Sequence, residues 1–219
     1  QLGTGVEFNS ITRIREAFLD DQFRNENKSL GNWSIQADTL EKLEAILNEP
    51  SDTGLRTVMD NFFNAWAELV KDPQSITGRK IVREAAIALT DAFNHMSRQL
   101  DELSADLTEN IQIKIDDINS KLSIIADLNR EIRRIEGMGD NANDLRDQRD
   151  LLVDEISKVI NITVTETEQG YTLQMGGVVL VDGDAVTPLD AGLVDGYFNS
   201  GDLNSGEIYG LIVSRDRHV

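Results

Sequence analysis

The sequence predicts a mainly α protein with a small β domain, an α+β chain in which an elongated antiparallel bundle of long helices precedes a small antiparallel sheet. Three observations carry this expectation. Apolar residues recur at three- and four-residue steps through most of the first 160 positions. Between Pro73 and Pro188 no proline interrupts the chain. Beyond Asn161 the apolar period shortens to two, with glycines at turn positions.

From Leu19 a heptad-like series runs through Phe23, Leu30, Trp33, Ala37, Leu40 and Leu47, with Glu26 and Glu44 filling the two remaining places. The register passes through Gly31, so one helix is expected from Arg13 to Leu47. The glycine then costs about 1 kcal/mol relative to alanine rather than ending the helix. Pro50 disfavours a helical Glu49, and "EPSDTG" is rich in turn formers, so the chain should reverse there. A second helix follows with Ser51, Asp52 or Thr53 as its cap. Its residues Leu55, Val58, Met59, Phe62, Phe63, Trp66, Leu69 and Val70 form a face too wide for a single seam. Covering such a face takes two neighbouring helices, each buried aromatic contributing roughly 1.5 to 3 kcal/mol. Phe62, Phe63 and Trp66, like Trp33, are therefore expected in the core. Few polar groups converge on them, which argues against a ligand platform. On this reading Trp66→Ala should cost about 3 to 5 kcal/mol through cavity formation.

The stretch from Ile76 to Glu136 reads as one helix, and at about 60 residues it would span roughly 90 Å. Ile111, Ile115, Ile118, Leu122, Ile125 and Ile132 hold one register within it, which places Leu122 and Ile125 in the core. Asn129 falls where that register asks for an apolar residue. It is either a buried asparagine that fixes alignment or a solvated position near a helix end, and both readings stand at this point. "EGMGDNAND" then turns the chain, and "LRDQRDLLVDEISKVI" gives a further helix with Leu145, Leu152, Ile156, Val159 and Ile160 inward. Asp144, Asp147, Asp150 and Asp154 line one side of it with Arg146 and Arg149 interleaved, the usual pattern of a solvated, partly ion-paired face.

Next, "ITVTETEQGYTLQMGGVVLVDGDAVTPLD" predicts hairpins turning at Gln169-Gly170 and at Gly176-Gly177. So small a sheet has little core of its own and should lean on the helices. The terminal "GEIYGLIVSRDRHV" reads as a strand or as the start of a returning helix. The expected organisation is residues 1–160 as the helical domain, 161–205 as the β domain and 206–219 as a return segment.

Composition narrows function. A net charge of -18, from 39 acidic against 21 basic residues, argues against nucleic acid and anionic membranes as partners. No run of eighteen apolar residues is present to span a bilayer, and "QLGTGVEFNS" lacks the basic start and apolar stretch of a signal peptide. Cysteine is absent, which removes disulfides and thiolate ligands. His95 and His218 lack partners at metal-ligand spacing. Asp182 and Asp184 in "VDGDAV" match part of a calcium loop, but a glycine-aspartate hairpin turn explains them more simply. No catalytic constellation, cofactor motif or metal site is expected.

"GTGVEFNSITRIREAFLDDQFRNE", "LNEPSDTGLRTVMDNFFNAWAEL" and "NDLRDQRDLLVDEIS" closely resemble the hook-associated protein 1 family, the hook-filament junction proteins of the bacterial flagellum. "SGEIYGLIVSRDRHV" resembles the place where that family re-enters its helical domain. The resemblance implies an axial structural protein, not an enzyme, exported unfolded by the flagellar type III apparatus and assembled as a torque-transmitting ring between hook and filament. It further implies as partners neighbouring copies of itself, the hook protein, a second junction protein or the filament protein, and an export chaperone. Terminal segments that build an inner coiled-coil tube are also implied, so these residues correspond to the outer helical domain and a β domain. Two other readings stand beside it. One is another flagellar axial or type III secretion tip protein; the other is a metal-dependent enzyme with its site around Asp182, Asp184 and Asp190. The isolated segment is expected to sediment as an elongated monomer, and a compact, tight oligomer in sedimentation velocity would contradict the domain assignment.

Overall fold

The computed structural model describes residues 16–47 and 54–219. Helix α1 is Ala17–Leu47, α2 Leu55–Lys71, α3 Ile76–Glu136 and α4 Asn143–Val159. Strands β1 (Thr163–Thr167), β2 (Gly170–Met175), β3 (Val178–Asp182) and β4 (Ala185–Val186) follow, then the short helices α5 (Val194–Ser200) and α6 (Glu207–Val213). The return segment is thus helical. Arg13 and the capping candidates Ser51, Asp52 and Thr53 lie outside the described residues. Helix α2 begins at Leu55 with Gly54 as its cap, and no side chain caps it. No helix among the described residues is long and apolar enough to cross a membrane.

The chain divides into two compact units, and the division does not fall at residue 161 as expected. One unit takes in the described residues up to Asn32 together with Lys114–Tyr209, so the sheet shares it with parts of α1 and α3 and with α4. The sheet is an antiparallel meander in the order β1-β2-β3-β4. Ile118, Leu122, Ile125, Val153 and Ile156 from the helices, Ile160 just after α4, and Leu173, Leu180 and Val181 from the strands, are wholly buried. Leu152 is half-buried, packed with Leu145 on a small cluster of Leu128, Ile132 and Ala142. A four-stranded meander of so few residues has little core of its own, and the helices of its unit supply the rest.

The other unit comprises Trp33–Ile113 and Gly210–Val219. Its buried apolar residues are Val82, Leu103, Leu107 and Ile111 of α3, Leu211, Ile212 and Val213 near the end of the chain, and Ala65 of α2.

Here the expected core fails in part. Trp33 is 66%, Phe63 59% and Trp66 47% exposed, and Phe62 is half-buried. The reason is geometric. Only Ala65 of α2 is buried, so the small residue marks the covered line and the rings flank it. They pack on one another instead, Phe62 meeting Phe63 edge-on at 5.5 Å and Trp66 at 6.4 Å between centroids. Edge-to-face contacts contribute about 0.5 to 1.5 kcal/mol each, much less than full burial. The expected penalty for Trp66→Ala therefore shrinks. Leu122→Ala, at a fully buried position, should lower unfolding free energy by about 2 to 5 kcal/mol, and Trp66→Ala by about 1 kcal/mol. Denaturant titration of both variants checks the order.

Candidate interaction surface

Helix α1 turns its apolar stripe outward. Leu19, Phe23, Leu30, Trp33, Leu40 and Leu47 are exposed, whereas the buried positions are Arg24, Gly31 and Thr39. Positions 24, 31 and 39 share one helix face by their spacing. Near Arg24 the partner is the aspartate side of α4. The Nε of Arg24 donates to Asp154 Oδ1 at 2.8 Å and its Nη2 lies 4.0 Å from Asp150. Asn27 Nδ2 donates to the Asp154 carbonyl and to Ser157 Oγ at 2.8 and 3.0 Å. Gly31 lets the backbones close in, since a Cβ there would stand 2.2 Å from the Lys158 carbonyl. The expectation of a solvated aspartate face on α4 is corrected by the same contacts: Asp150 is completely buried.

A second apolar surface lies within the unit that includes Trp33–Ile113. Leu47, Leu55, Met59, Phe63 and Met96, with Arg56 and Asp60 at its rim, line a groove of about 570 Å³. Its walls are side chains that periodicity alone assigns to a core.

Between the helices and the sheet sits a buried polar cluster. Asn129, fully buried on α3, donates from Nδ2 to the carbonyls of Tyr171 (3.1 Å) and Gly183 (2.6 Å). Its Oδ1 accepts from the Tyr171 amide and from Arg149 Nη1, both at 3.0 Å. The Arg149 guanidinium, itself buried, lies 3.4 Å from the centroid of the Tyr171 ring. The Tyr171 hydroxyl donates to Asp150 at 2.6 Å. Burial, and then the Asp150 carboxylate, push the phenol above its ordinary value of 10.0. At the rim Arg146 donates to both oxygens of Glu136 (2.6 and 2.8 Å) and to Glu166 (2.7 Å). The guanidinium of Arg146 holds the Glu136 carboxyl below its ordinary value of 4.5.

The sequence leaves Asn129 open between two roles and does not single out Arg24, Arg149, Asp150 and Tyr171 as a set. A signal existed. Leu145, Leu152 and Ile156 define a three-four register whose missing member is position 149, so an arginine stands where α4 asks for an apolar residue. The same is true of Asn129 on α3, and the two side chains meet.

The aspartates weighed for metal chemistry do not converge. Asp182 accepts from the Thr172 hydroxyl at 3.0 Å, Asp184 faces Arg133 at 3.4 Å, and Asp190 caps a short turn through the Gly192 amide. Among the described residues no three His, Cys, Asp or Glu side chains form a ligand cluster. His95 is exposed on α3, and His218 contacts Gln36 at 3.3 Å.

A sequence profile of the flagellar hook-associated protein FlgK helical domain matches residues 40–219. Flagellar hook-associated protein 1 of Bacillus subtilis is 36% identical over 170 residues, covering 78% of this chain and 34% of the relative. The protein of that name in Salmonella typhimurium is 28% identical over 194 residues, 87% of this chain and 35% of its own. The chain therefore spans about a third of the length of these curated relatives. The flagellar hook junction protein FlgK of Burkholderia pseudomallei has a similar fold, with a TM-score of 0.71 at 19% identity over 88% of this chain and 39% of that one.

The rim pair carries a pH dependence. A carboxyl whose folded value is depressed stabilises the fold fully above its unfolded value of 4.5, and that contribution is lost as pH falls through the lower, folded value. Stability should thus fall on acidification below 4.5, with Glu136→Gln flattening part of the fall. At neutral pH the same variant should lose roughly 0.2 to 1 kcal/mol, the pair being partly exposed. Urea titrations between pH 3 and pH 7 measure both.

Proposed function

The chain belongs to the flagellar hook-associated protein FlgK family, and from that membership we propose that it forms part of the junction between hook and filament, where it works by shape and contact and not by chemistry. The carrying observation is the profile match across residues 40–219. On this reading the protein leaves the cell through the flagellar type III apparatus, escorted by an export chaperone. Copies then assemble as a ring with the hook protein on one side and a second junction protein or the filament protein on the other, and the ring transmits torque.

The outward stripe of α1 fits this reading as a seam for another helix. Its steps of four and three are those of a coiled coil. The proposed occupant is a helical segment from outside these 219 residues, because the relatives are more than twice as long. A second copy fits less well. Paired in parallel it would set Glu26 against Glu26 and Glu44 against Glu44 within the seam, and facing like charges destabilise.

Deleting the gene tests the proposal. The expected phenotype is a non-swimming cell with hooks but no filaments, shedding filament protein into the medium, and rescued by the full-length gene. A deletion strain that grows filaments and swims overturns it.

A further inference from the structure

Tyr171 stands near the start of β2, opposite Glu166 of β1. Its amide and carbonyl both engage Asn129 and so point away from β1, as they do at every second position of an antiparallel pair. The neighbour on that side would be β3, but the pairing of β2 with β3 ends at Thr172 opposite Asp182, and the chain turns at Gly183. The carboxamide of Asn129 enters at that point. It accepts from the Tyr171 amide, donates to the Tyr171 carbonyl, and donates again to the Gly183 carbonyl. A carboxamide is chemically a side-chain peptide group. Asn129 therefore supplies, from α3, one further rung of the ladder.

We infer that Asn129, steadied by Arg149, is an orientation-setting seat that selects a single placement of the sheet on the helices. Leu173, Leu180 and Val181 are wholly buried, but apolar attraction has no direction and tolerates a slipped or rotated sheet. The carboxamide does not. Any slip leaves both Nδ2 donors of a fully buried side chain and the Tyr171 amide unmet, and it takes the Tyr171 ring from over the Arg149 guanidinium as well. Gly170 fits the same seat. Its φ is +108°, and a Cβ there would come within 2.6 Å of the Asn129 side chain.

The test is a distance measurement on the full-length protein. Spin labels at Thr165→Cys on β1 and Ile124→Cys on α3, both exposed positions, report the placement of the sheet by pulsed electron resonance. The parent should give one narrow distance. Asn129→Leu fills similar space with apolar atoms, and it should retain helicity while the distribution at least doubles in width or splits. Asn129→Asp keeps the size and the acceptors but loses both donor bonds, and should broaden it too. One unchanged narrow distance in both variants overturns the inference. So does loss of the fold in both, because the asparagine would then serve folding as a whole and not the choice of placement.

Discussion

A guanidinium and a carboxamide, both without access to water, occupy the places in α4 and α3 that their registers reserve for leucine or isoleucine. Burying Arg149 costs several kcal/mol unless its charge and donors are met, and the neighbourhood is arranged around that requirement. Asn129 Oδ1 takes one donor, the Tyr171 ring lies under the guanidinium plane, and Glu166 stands 3.5 Å away at the rim. Asp150 is held in turn by the Tyr171 hydroxyl and approached by Arg24. Arg149 Nε and Arg24 Nη2 remain buried without a hydrogen-bond partner. The cluster is therefore coupled: no member can leave without stranding another, and energies measured by single deletions will not sum.

The same requirement explains the orientation of α1. A helix with a leucine-rich stripe ordinarily turns it to the core, yet α4 presents Asp150, Asp154 and Ser157, and only the Arg24 and Asn27 side of α1 answers them. Gly31 extends that side by permitting a backbone approach that alanine would block. Glycine inside a helix costs about 1 kcal/mol in propensity, and here the close approach offsets it. Lys28 adds a backbone bond of its own, its carbonyl accepting from the Gly206 amide at 3.1 Å.

Local chemistry was legible in the sequence, and what lay across from it was not. The span of α3, the turns at Gly170 and Gly176, and the change of period after Asn161 depend on neighbours in the chain, so residue type and spacing reveal them. The inward placement of Leu122, Ile125 and Ile156 follows a register that α3 and α4 each state on their own. Trp33, Phe63 and Trp66 fail the same logic because periodicity reports that a stripe exists and is silent on what covers it. The polar cluster was half legible. Asn129 broke a register visibly and so did Arg149, but only their juxtaposition turns two local anomalies into one structure.

An outward apolar stripe on a chain of net charge -18 raises the question of what keeps copies from pairing through it. Net repulsion is a weak answer, because at physiological ionic strength charges are screened beyond about 8 Å. Contact-range charge is a better one. Glu26 and Glu44 stand in the stripe itself, both exposed, and a helix laid along it must either match them or bury them unpaired. Burying an unpaired carboxylate is far costlier than a single apolar contact is favourable. A partner helix with basic residues at those two heights meets the stripe without that cost, and a second copy in parallel does not. On the proposed reading of the stripe as a seam, the glutamates that interrupt the heptad would set which helix the leucines and Trp33 can hold.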